Sequence, residues 1–216
     1  MTARFSNWAG KYFGFGQDTP QDAVVVTQPT RVDAVAGLAF DLVTTWDLGL
    51  YANYSFLEDR ESRALRDASF DREGRVNGDY AGARIEIVHD TRDNTFSTRT
   101  GGRDVLWFDG WAVQAGRNDL RVRAGMSTQH FLLLWPPDWV LALRAEGGAA
   151  LGERAYLTQF SLGGGNALRG YLSNRFRGDA YALGGAELRF PIGSFISGAA
   201  FGDAGTVWGG DNGPVA

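Results

Sequence analysis

The sequence contains no cysteine, only two histidines, and no hydrophobic run long enough for a transmembrane helix. The absence of cysteine excludes disulfide bonds and thiolate metal sites. The longest apolar run, FLLLW at 131–135, falls far short of the ~20 residues that span a bilayer as a helix. Neither His89 nor His130 lies in an HExxH motif, and no Gly-x-Ser-x-Gly motif is present. We therefore predict a protein that is not an enzyme and uses no metal or cofactor.

The sequence also lacks a large excess of charge of either sign. Its net charge is −4 and its isoelectric point is about 5.2, with acidic and basic residues interspersed. A nucleic-acid-binding protein would show a basic stripe, so the composition argues against that class. No apolar segment follows Met1, so we expect no secretory signal peptide at this end.

Glycine is abundant, with 30 residues, and apolar side chains alternate with polar or small ones. In segment 46–56, for example, Leu48 and Leu50 alternate with Asp47 and Gly49. A period of two predicts β-strands with one apolar face. Many of the segments exceed ten residues, which is longer than the ~5–6 of ordinary strands and typical of transmembrane barrels. We predict nine strands, at roughly 4–16, 29–43, 46–57, 78–90, 101–113, 119–135, 139–152, 180–190 and 195–208.

Short and long connections alternate along the chain, as they do when short turns lie on one side of a membrane and long loops on the other. The short links are 43–46, 135–138 and 191–194, with a medium one at 91–100. The long polar links are 17–28, 58–77, 114–118, which is the shortest of this set, and 153–179. Trp46, Trp135 and Trp139 lie beside short turns, where an interfacial aromatic belt would lie. A soluble β-sandwich or soluble barrel would show the same alternation. Strand length and loop asymmetry favour the membrane barrel.

The glycine-rich stretch SLGGGNALRGYLSNRFRGD, at 161–179, could bind a phosphate or carry an arginine into the protein. A phosphate loop needs a following helix and, in nucleotide hydrolases, Gly-Lys-Ser/Thr, and neither is present. Glu187 and Asp203 lie on the next two predicted strands, and both would point to the same face of the sheet. A planar guanidinium binds a carboxylate through two hydrogen bonds. An arginine from this loop could therefore pair with either carboxylate.

Three motifs follow one another in the sequence: LGGGNALRGYLSNRFRGD, GGAELRFPI and FGDAG. Together they resemble the signature region of the bacterial surface-antigen superfamily of outer-membrane barrels. Its members include the BamA and TamA assembly proteins and the two-partner-secretion transporters. HDTRDNTFSTRTG, at 89–101, is similar to the family's periplasmic turn between two central strands, and KYFGFGQDTP, at 11–20, is similar to its upstream barrel. The resemblance covers nearly the whole chain.

In this family a loop with an Arg-Gly-aromatic tip folds into the lumen, and its arginine contacts acidic residues on the two following strands. The resemblance implies that Arg169 is this arginine and that Glu187 and Asp203 are its partners. The other positions that it assigns to the loop and to the last strand are Gly163, Gly164, Leu168, Gly170, Tyr171, Phe201 and Gly205. It assigns Asp90, Arg92 and Asp93 to the periplasmic turn.

The turn residues Asp90, Asp93 and Asn94 could also suggest a calcium site. The ligand spacing and the glutamate of an EF-hand are absent, however. Asp and Asn are common in tight turns because their side chains bond to nearby backbone N–H groups. We therefore predict a turn without a metal.

The family barrel has sixteen strands, preceded by periplasmic modules, whereas about nine strands are predicted here. We expect an all-β, antiparallel transmembrane β-barrel of outer-membrane type, present in part. Residues 1–216 would form part of one barrel domain, with an in-folding lumenal loop at about 153–179. A complete small barrel, or one closed by oligomerisation, is the alternative, since an open strand edge in lipid leaves backbone groups unpaired.

The resemblance implies an integral protein of the outer membrane of a Gram-negative bacterium that helps other proteins insert into this membrane or cross it. Its partners would be client outer-membrane or secreted proteins, outer-membrane lipid and lipopolysaccharide, and periplasmic modules, but no nucleic acid. The charged segment 58–77 would contact lipopolysaccharide phosphates or form a solvated loop. Two alternative functions stay open: a barrel that secretes a fused patatin-like lipase domain, and a passive pore or structural surface barrel.

Overall fold

The computed structural model describes residues 2–7, 10–12, 25–27, 30–58, 78–114, 118–134, 138–154, 156–193 and 195–209. These residues form β-strands and one short 3₁₀ turn, Tyr156–Thr158. The strands are β1 (Thr2–Asn7), β2 (Gly10–Tyr12), β3 (Val25–Thr27), β4 (Thr30–Val43), β5 (Trp46–Glu58), β6 (Gly78–Asp90), β7 (Gly101–Gln114), β8 (Asn118–Leu134), β9 (Trp139–Gly152), β10 (Phe160–Leu162), β11 (Phe176–Gly178), β12 (Ala180–Pro191) and β13 (Ser197–Trp208). No helix in this part of the chain is long and apolar enough to cross a membrane.

Nine strands form the main sheet, in the order β1-β4-β5-β6-β7-β8-β9-β12-β13. Every neighbouring pair is antiparallel. β1 and β13 are the two edges, so the sheet does not close on itself within the described ranges. The predicted fold class, an all-β antiparallel barrel wall present in part, is confirmed.

Eight of the nine predicted strands are confirmed, to within two residues at each end. The predicted strand at 4–16 is wrong, because β1 pairs with β4 in the main sheet whereas β2 pairs with β3 in a separate small sheet. β3 lies in the stretch 17–28 that was predicted to be a loop, and residues 13–24 lie outside the described residues. Alternation has the same period in both sheets and so gives no sign of where the chain passes between them.

The two faces of the main sheet differ in polarity. The inner face, defined here as the face that carries the β9–β12 connection, includes the buried residues Trp107, Asp109 and Arg121. The outer face is apolar and uncovered, with Leu106 60% and Leu120 75% exposed. A soluble protein buries its apolar face and leaves its charged face in water. The reversed arrangement favours the transmembrane barrel over the soluble sandwich or barrel.

Because consecutive strands of the main sheet are antiparallel, the connections between them alternate between its two ends. The connections β4–β5, β6–β7, β8–β9 and β12–β13 lie at one end, called here the short-turn end. The connections β5–β6, β7–β8 and β9–β12 lie at the opposite end, called here the long-loop end. The alternation of lengths fails at two links, because β7–β8 spans only residues 115–117 whereas β6–β7 at the short-turn end spans 91–100. Aromatic side chains gather near the short turns, where the rings of Trp139 and Phe190 are 5.3 Å apart and Trp46 begins β5. Such clusters are typical of an interfacial belt.

The polarity of the faces can be tested with arginine at two successive positions of β8. Met126→Arg places a cation on the outer face, and we expect it to weaken folding into lipid vesicles by about 2–4 kcal/mol. Ser127→Arg faces inward opposite Glu146, and we expect a change of about 1 kcal/mol or less. Denaturant-dependent folding equilibria in vesicles measure both values. Equal losses at the two positions would contradict the assignment of the faces.

Candidate functional site

The connection between β9 and β12 is a structured loop that packs on the inner face. Within it β10 pairs with β11, so the predicted in-folding loop contains a short hairpin. The Phe160 ring lies 5.9 Å from that of Trp107 and 4.8 Å from that of Tyr181. Leu162 and Leu168 pack in a second apolar cluster with residues of β12 and β13. Apolar contacts therefore hold both β10 and Leu168 against the sheet.

The tip of the loop, residues 163–175, turns back on itself through glycine. Gly163 and Gly164 have φ angles of +116° and +93°, which side chains other than glycine rarely adopt. A methyl group on Gly163 would also lie 2.2 Å from the carbonyl oxygen of Leu172. The backbone N–H of Gly164 donates to the carbonyl of Tyr171 at 3.0 Å and closes the tip. The glycine run thus shapes a compact turn that presents Arg169.

The Arg169 side chain reaches two carboxylates on neighbouring strands. Its Nε and Nη2 donate to Asp203 at 2.6 and 3.0 Å, and its Nη1 donates to Glu187 at 2.5 Å. The guanidinium carbon also lies 3.6 Å from the centre of the Phe201 ring, a cation–π contact. The hydrogen bond to Asp203 raises the pKa of Arg169 above its ordinary value, so the side chain stays charged. This geometry brings together the residues that the sequence assigned to the site.

Asp203 is the shared acceptor of the site. Its side chain is 2% exposed, and besides Arg169 it accepts a hydrogen bond from Arg144 Nη2 at 2.9 Å. Arg144 also donates to the backbone carbonyls of Asn166 and Ala167 in the loop tip. One carboxylate therefore binds two arginines, and the second arginine holds the tip from the opposite side.

Arg144 was not among the site residues predicted from the sequence. Other inner-face arginines have a partner close in sequence, as Arg84 does with Glu86 at 3.1 Å. Arg144 instead reaches two strands away, because Arg144, Gly185 and Asp203 lie in one register row across β9, β12 and β13. The signal that could have identified Arg144 is this row, with glycine between two opposite charges.

Gly185 makes the contact between Arg144 and Asp203 possible. A methyl group at this position would lie 2.5 Å from Asp203 Oδ1 and 2.9 Å from Arg144 Nε. Real Cβ atoms do not approach other atoms so closely, so one of the two charged side chains would have to move. The missing side chain is therefore a requirement of the ion pair.

A second set of charged contacts holds the base of the loop. Arg121, whose side chain is 1% exposed, donates to the carbonyls of Gly152 and Glu153 at 2.9 and 3.1 Å and to the Asp179 carboxylate. Arg154 donates to the other oxygen of Asp179 at 2.6 Å. The two ends of the loop are thus joined through a buried arginine, which the sequence analysis missed.

A further inner-face arginine supports the 3₁₀ turn of the loop. Arg123 binds Asp109 through two hydrogen bonds of 2.8 Å and donates to the carbonyl of Thr158 at 3.2 Å. Trp111 Nε1 donates at 2.8 Å to Asp109 Oδ1, the oxygen that also accepts from Arg123 Nε. Asp109 is buried and its charge is balanced by Arg123, as expected for a carboxylate in this environment.

The remaining predicted loop positions have conformational or packing roles. Gly170 has a φ of +101°, although nothing lies near its missing side chain, so its backbone conformation is the constraint. A methyl on Gly205 would lie 3.0 Å from the Ala182 carbonyl oxygen and 3.2 Å from Leu162. The Tyr171 ring is 5.2 Å from that of Phe176 and does not contact the carboxylates in the described structure.

Asp90, Arg92 and Asp93 lie in the β6–β7 turn, at the short-turn end and apart from the arginine site. Arg92 Nε and Nη2 donate to Asp90 at 2.9 and 2.6 Å. The Arg99 N–H donates to Asp93 Oδ1 at 3.0 Å and lowers the pKa of Asp93. Asn94 Oδ1 accepts backbone N–H groups two and three residues further on. These carboxylates bind within their own turn, and the described residues contain no group of three or more side chains arranged to bind a metal.

Residues 10–214 match the sequence model of a family described as the Omp85 superfamily domain. The structure is similar to the crystal structure of BamA from Haemophilus ducreyi lacking POTRA domains 1–3, with a TM-score of 0.62 and 17% identity. The match covers 85% of this chain and 43% of the BamA chain, so this chain spans less than half the length of that structure. At this identity the likeness shows the fold alone. No curated protein matches the chain.

The importance of the shared acceptor can be measured by comparing two isosteric substitutions. Asp203→Asn removes the charge between two arginines at a buried position, and we expect a loss of stability of about 3–5 kcal/mol. Glu187→Gln removes a more exposed charge, and we expect a loss of about 1 kcal/mol. Denaturation midpoints in detergent and protease accessibility of the loop report the two effects. A larger effect of Glu187→Gln would refute this ranking.

The need for a glycine at position 185 can be tested with an alanine substitution, and the same substitution at Gly184 is the matched control. Gly185→Ala should destabilise the protein by about 1–3 kcal/mol, because the new methyl displaces Arg144 or Asp203. Gly184→Ala points to the outer face, where the nearest atom is 3.9 Å away, and should change stability by less than about 0.5 kcal/mol. Unfolding curves of the two variants under the same conditions test the difference. Indistinguishable curves would show that Gly185 is not needed for the ion pair.

Proposed function

This chain belongs to the Omp85 superfamily, and on that basis we propose that it forms part of the wall of an outer-membrane barrel that inserts or translocates other proteins. The observation that carries the proposal is the docking of Arg169 on Asp203 and Glu187. This contact links the loop to two strands of the wall. An Arg-Gly-Tyr loop that braces the lumen is the feature expected of an assembly or translocation barrel in this superfamily.

The brace acts on three strands at once. Arg144 on β9, Glu187 on β12 and Asp203 on β13 all contact the loop or its arginine. A shift of register between any two of these strands would separate charges that are now paired. We propose that the loop fixes the register of this part of the wall while another part of the complete barrel opens.

The proposed mechanism uses strand edges to template incoming strands. In the complete barrel, a seam between the first and last strands would open, and its unpaired N–H and C=O groups would bind a client strand by edge pairing. The loop supports this step by keeping the neighbouring sheet in one register. The arginine site itself would then contact no client and act through the geometry of the wall.

The proposed location is the outer membrane of a Gram-negative bacterium, with the apolar outer face in lipid. The reversed polarity of the faces and the aromatic residues near the short turns support this location. Client outer-membrane or secreted proteins, lipopolysaccharide and periplasmic modules are the proposed partners. The segment 58–77, considered for contact with lipopolysaccharide, lies outside the described residues apart from Glu58 and adds no support.

The loop arginine can be tested in the full-length protein that carries this sequence. We expect Arg169→Ala to slow the insertion or secretion of a client protein by about tenfold or more, equivalent to about 1.4 kcal/mol of lost coupling. Arg99→Ala, at the exposed ion pair with Asp138 in the short turns, is the matched control and should retain activity. The barrel's own folding is followed in parallel by heat-dependent migration on gels.

A fully active, folded Arg169→Ala variant would rule out the bracing mechanism. The protein is a passive pore or structural barrel if two results are obtained. Its channel conductance is insensitive to this substitution, and depletion of the protein leaves the assembly of client proteins intact. A lipase-secreting barrel would instead require a Gly-x-Ser-x-Gly motif elsewhere in the polypeptide, because these 216 residues contain none.

A further inference from the structure

A group of polar side chains interrupts the apolar outer face at its short-turn end. The Cα partners His89, Asp104 and Thr128 lie side by side on β6, β7 and β8, and His130 follows two residues later on β8. Asp104 Oδ1 lies 3.2 Å from His130 Nε2, and its Oδ2 lies 3.6 Å from His89 Nδ1. We call these four residues the outer-face cluster. The bracing mechanism does not use them.

The cluster is held in place by its neighbours on the sheet. The His89 ring stacks on that of Trp46, with centroids 4.4 Å apart and planes 24° from parallel. The Thr128 hydroxyl donates to Asp104 at 2.5 Å. The His130 ring lies over Gly102, since a methyl group there would be 2.3 Å from His130 Nδ1. The geometry is therefore fixed before any ligand binds.

The cluster also remains accessible. The side chains of His89, Asp104 and His130 are 32%, 41% and 54% exposed. Nδ1 of His89 and Nε2 of His130 are the ring nitrogens that face the Asp104 carboxylate, so Nε2 of His89 and Nδ1 of His130 are directed away from it. One carboxylate and two imidazoles are thus available to a ligand from the same side of the sheet.

The position of the cluster indicates what it would meet. The outer-face residues next to it toward the middle of the sheet are apolar, namely Ile87, Leu106 and Met126. On the other side β6 ends at Asp90 and the turn begins. Trp46, at the start of β5, is an interfacial residue type. On β6 and β7 the cluster therefore lies at the border of the apolar band toward the lipid headgroups, whereas on β8 the outer face continues beyond His130 with the exposed Leu132.

We propose that the outer-face cluster binds the headgroup of a phospholipid that carries both a phosphate and a primary ammonium. An imidazole whose one N–H faces Asp104 has an acceptor at its other ring nitrogen, so Asp104, His89 Nε2 and His130 Nδ1 can all accept hydrogen bonds from the ammonium. A two-carbon linker separates the two charged groups of such a lipid by about one inter-strand spacing, ~5 Å. The two ends can therefore lie over neighbouring strands. The inference rests on the lipid-facing location of the outer face and is independent of client assembly.

The chemistry distinguishes this ligand from others. A metal ion is disfavoured because the described residues contain no group of three or more side chains arranged to bind one. A lipid with a phosphate alone would leave Asp104 facing an anion, which is repulsive. A trimethylated ammonium keeps its charge but has no N–H to donate, so it cannot hydrogen-bond to the carboxylate.

The test measures which lipids stay bound to the full-length protein carrying this sequence. The protein is folded into nanodiscs of equal phosphatidylethanolamine and phosphatidylcholine, released, and analysed by native mass spectrometry. We expect phosphatidylethanolamine to be retained over phosphatidylcholine by about fivefold, the ratio that one hydrogen bond worth ~1 kcal/mol produces. Asp104→Asn should abolish the preference. His89→Gln with His130→Gln should reduce the preference in part, because it removes the two ring nitrogens that accept from the ammonium.

Asp79→Asn is the matched control. Like Asp104, Asp79 is a carboxylate that accepts a hydrogen bond from a hydroxyl, that of Tyr54, but it lies at the opposite end of β6. It should leave the lipid preference unchanged. Thr128→Val keeps the charge of Asp104 but removes its supporting hydrogen bond, and should lower the preference in part. Heat-dependent migration on gels confirms that each variant is folded. Equal retention of the two lipids by the unmodified protein would overturn the proposal. So would equal losses of lipid preference in Asp79→Asn and Asp104→Asn. Neither result bears on the proposed role in client assembly.

Discussion

The carboxylate of Asp203 is the interaction on which the rest of the site depends. It is almost completely buried and accepts hydrogen bonds from two arginines that approach from different elements, Arg169 from the loop and Arg144 from β9. A buried carboxylate is unstable without such partners. Once it is placed on the inner face of β13, both arginines act as its partners, and Gly185 on β12 leaves the space in which Arg144 reaches it. The short motif around Asp203 thus constrains residues far away in sequence.

The loop is attached at two levels rather than one. At the tip, the arginine site fixes residues 163–175, and at the base, Arg121 and Asp179 join the two ends of the loop. The apolar contacts of Phe160 lie between the base and the tip, and Leu168 packs within the tip. Loss of Arg169 would leave the base contacts, the Arg144 contacts and the apolar packing on β12 and β13 in place. The loop would then lose its own link to the Glu187 and Asp203 carboxylates without leaving the inner face. Arg169 is therefore better suited to control wall register than to control loop folding.

The sequence predicted the architecture well because alternation is a local property. Eight strands could be located from residues a few positions apart, and the apolar face of each could be read from the same pattern. The pairing of Arg169 with Glu187 and Asp203 came from the resemblance, since no local pattern specifies which arginine of the loop turns inward. Arg144, Arg121 and Asp179 were missed because their partners depend on cross-strand register. Register joins Arg144 to Asp203 through Gly185, and it becomes visible only when the three strands are aligned.

The distribution of polar groups over the two faces explains why the loop must lie where it does. The inner face carries the charged side chains of Asp109, Arg121, Arg144 and Asp203. Each of them can be buried there because it has a partner of opposite charge. The loop supplies backbone carbonyls and charged side chains that the outer face could not use. The outer face, in turn, exposes leucines, isoleucines and aromatics that water would penalise and lipid would not. If the loop lay on the outer face and lipid on the inner face, buried charges would lose their partners and apolar side chains would meet water. The polarity of the two faces therefore determines which one carries the loop and which one faces the membrane.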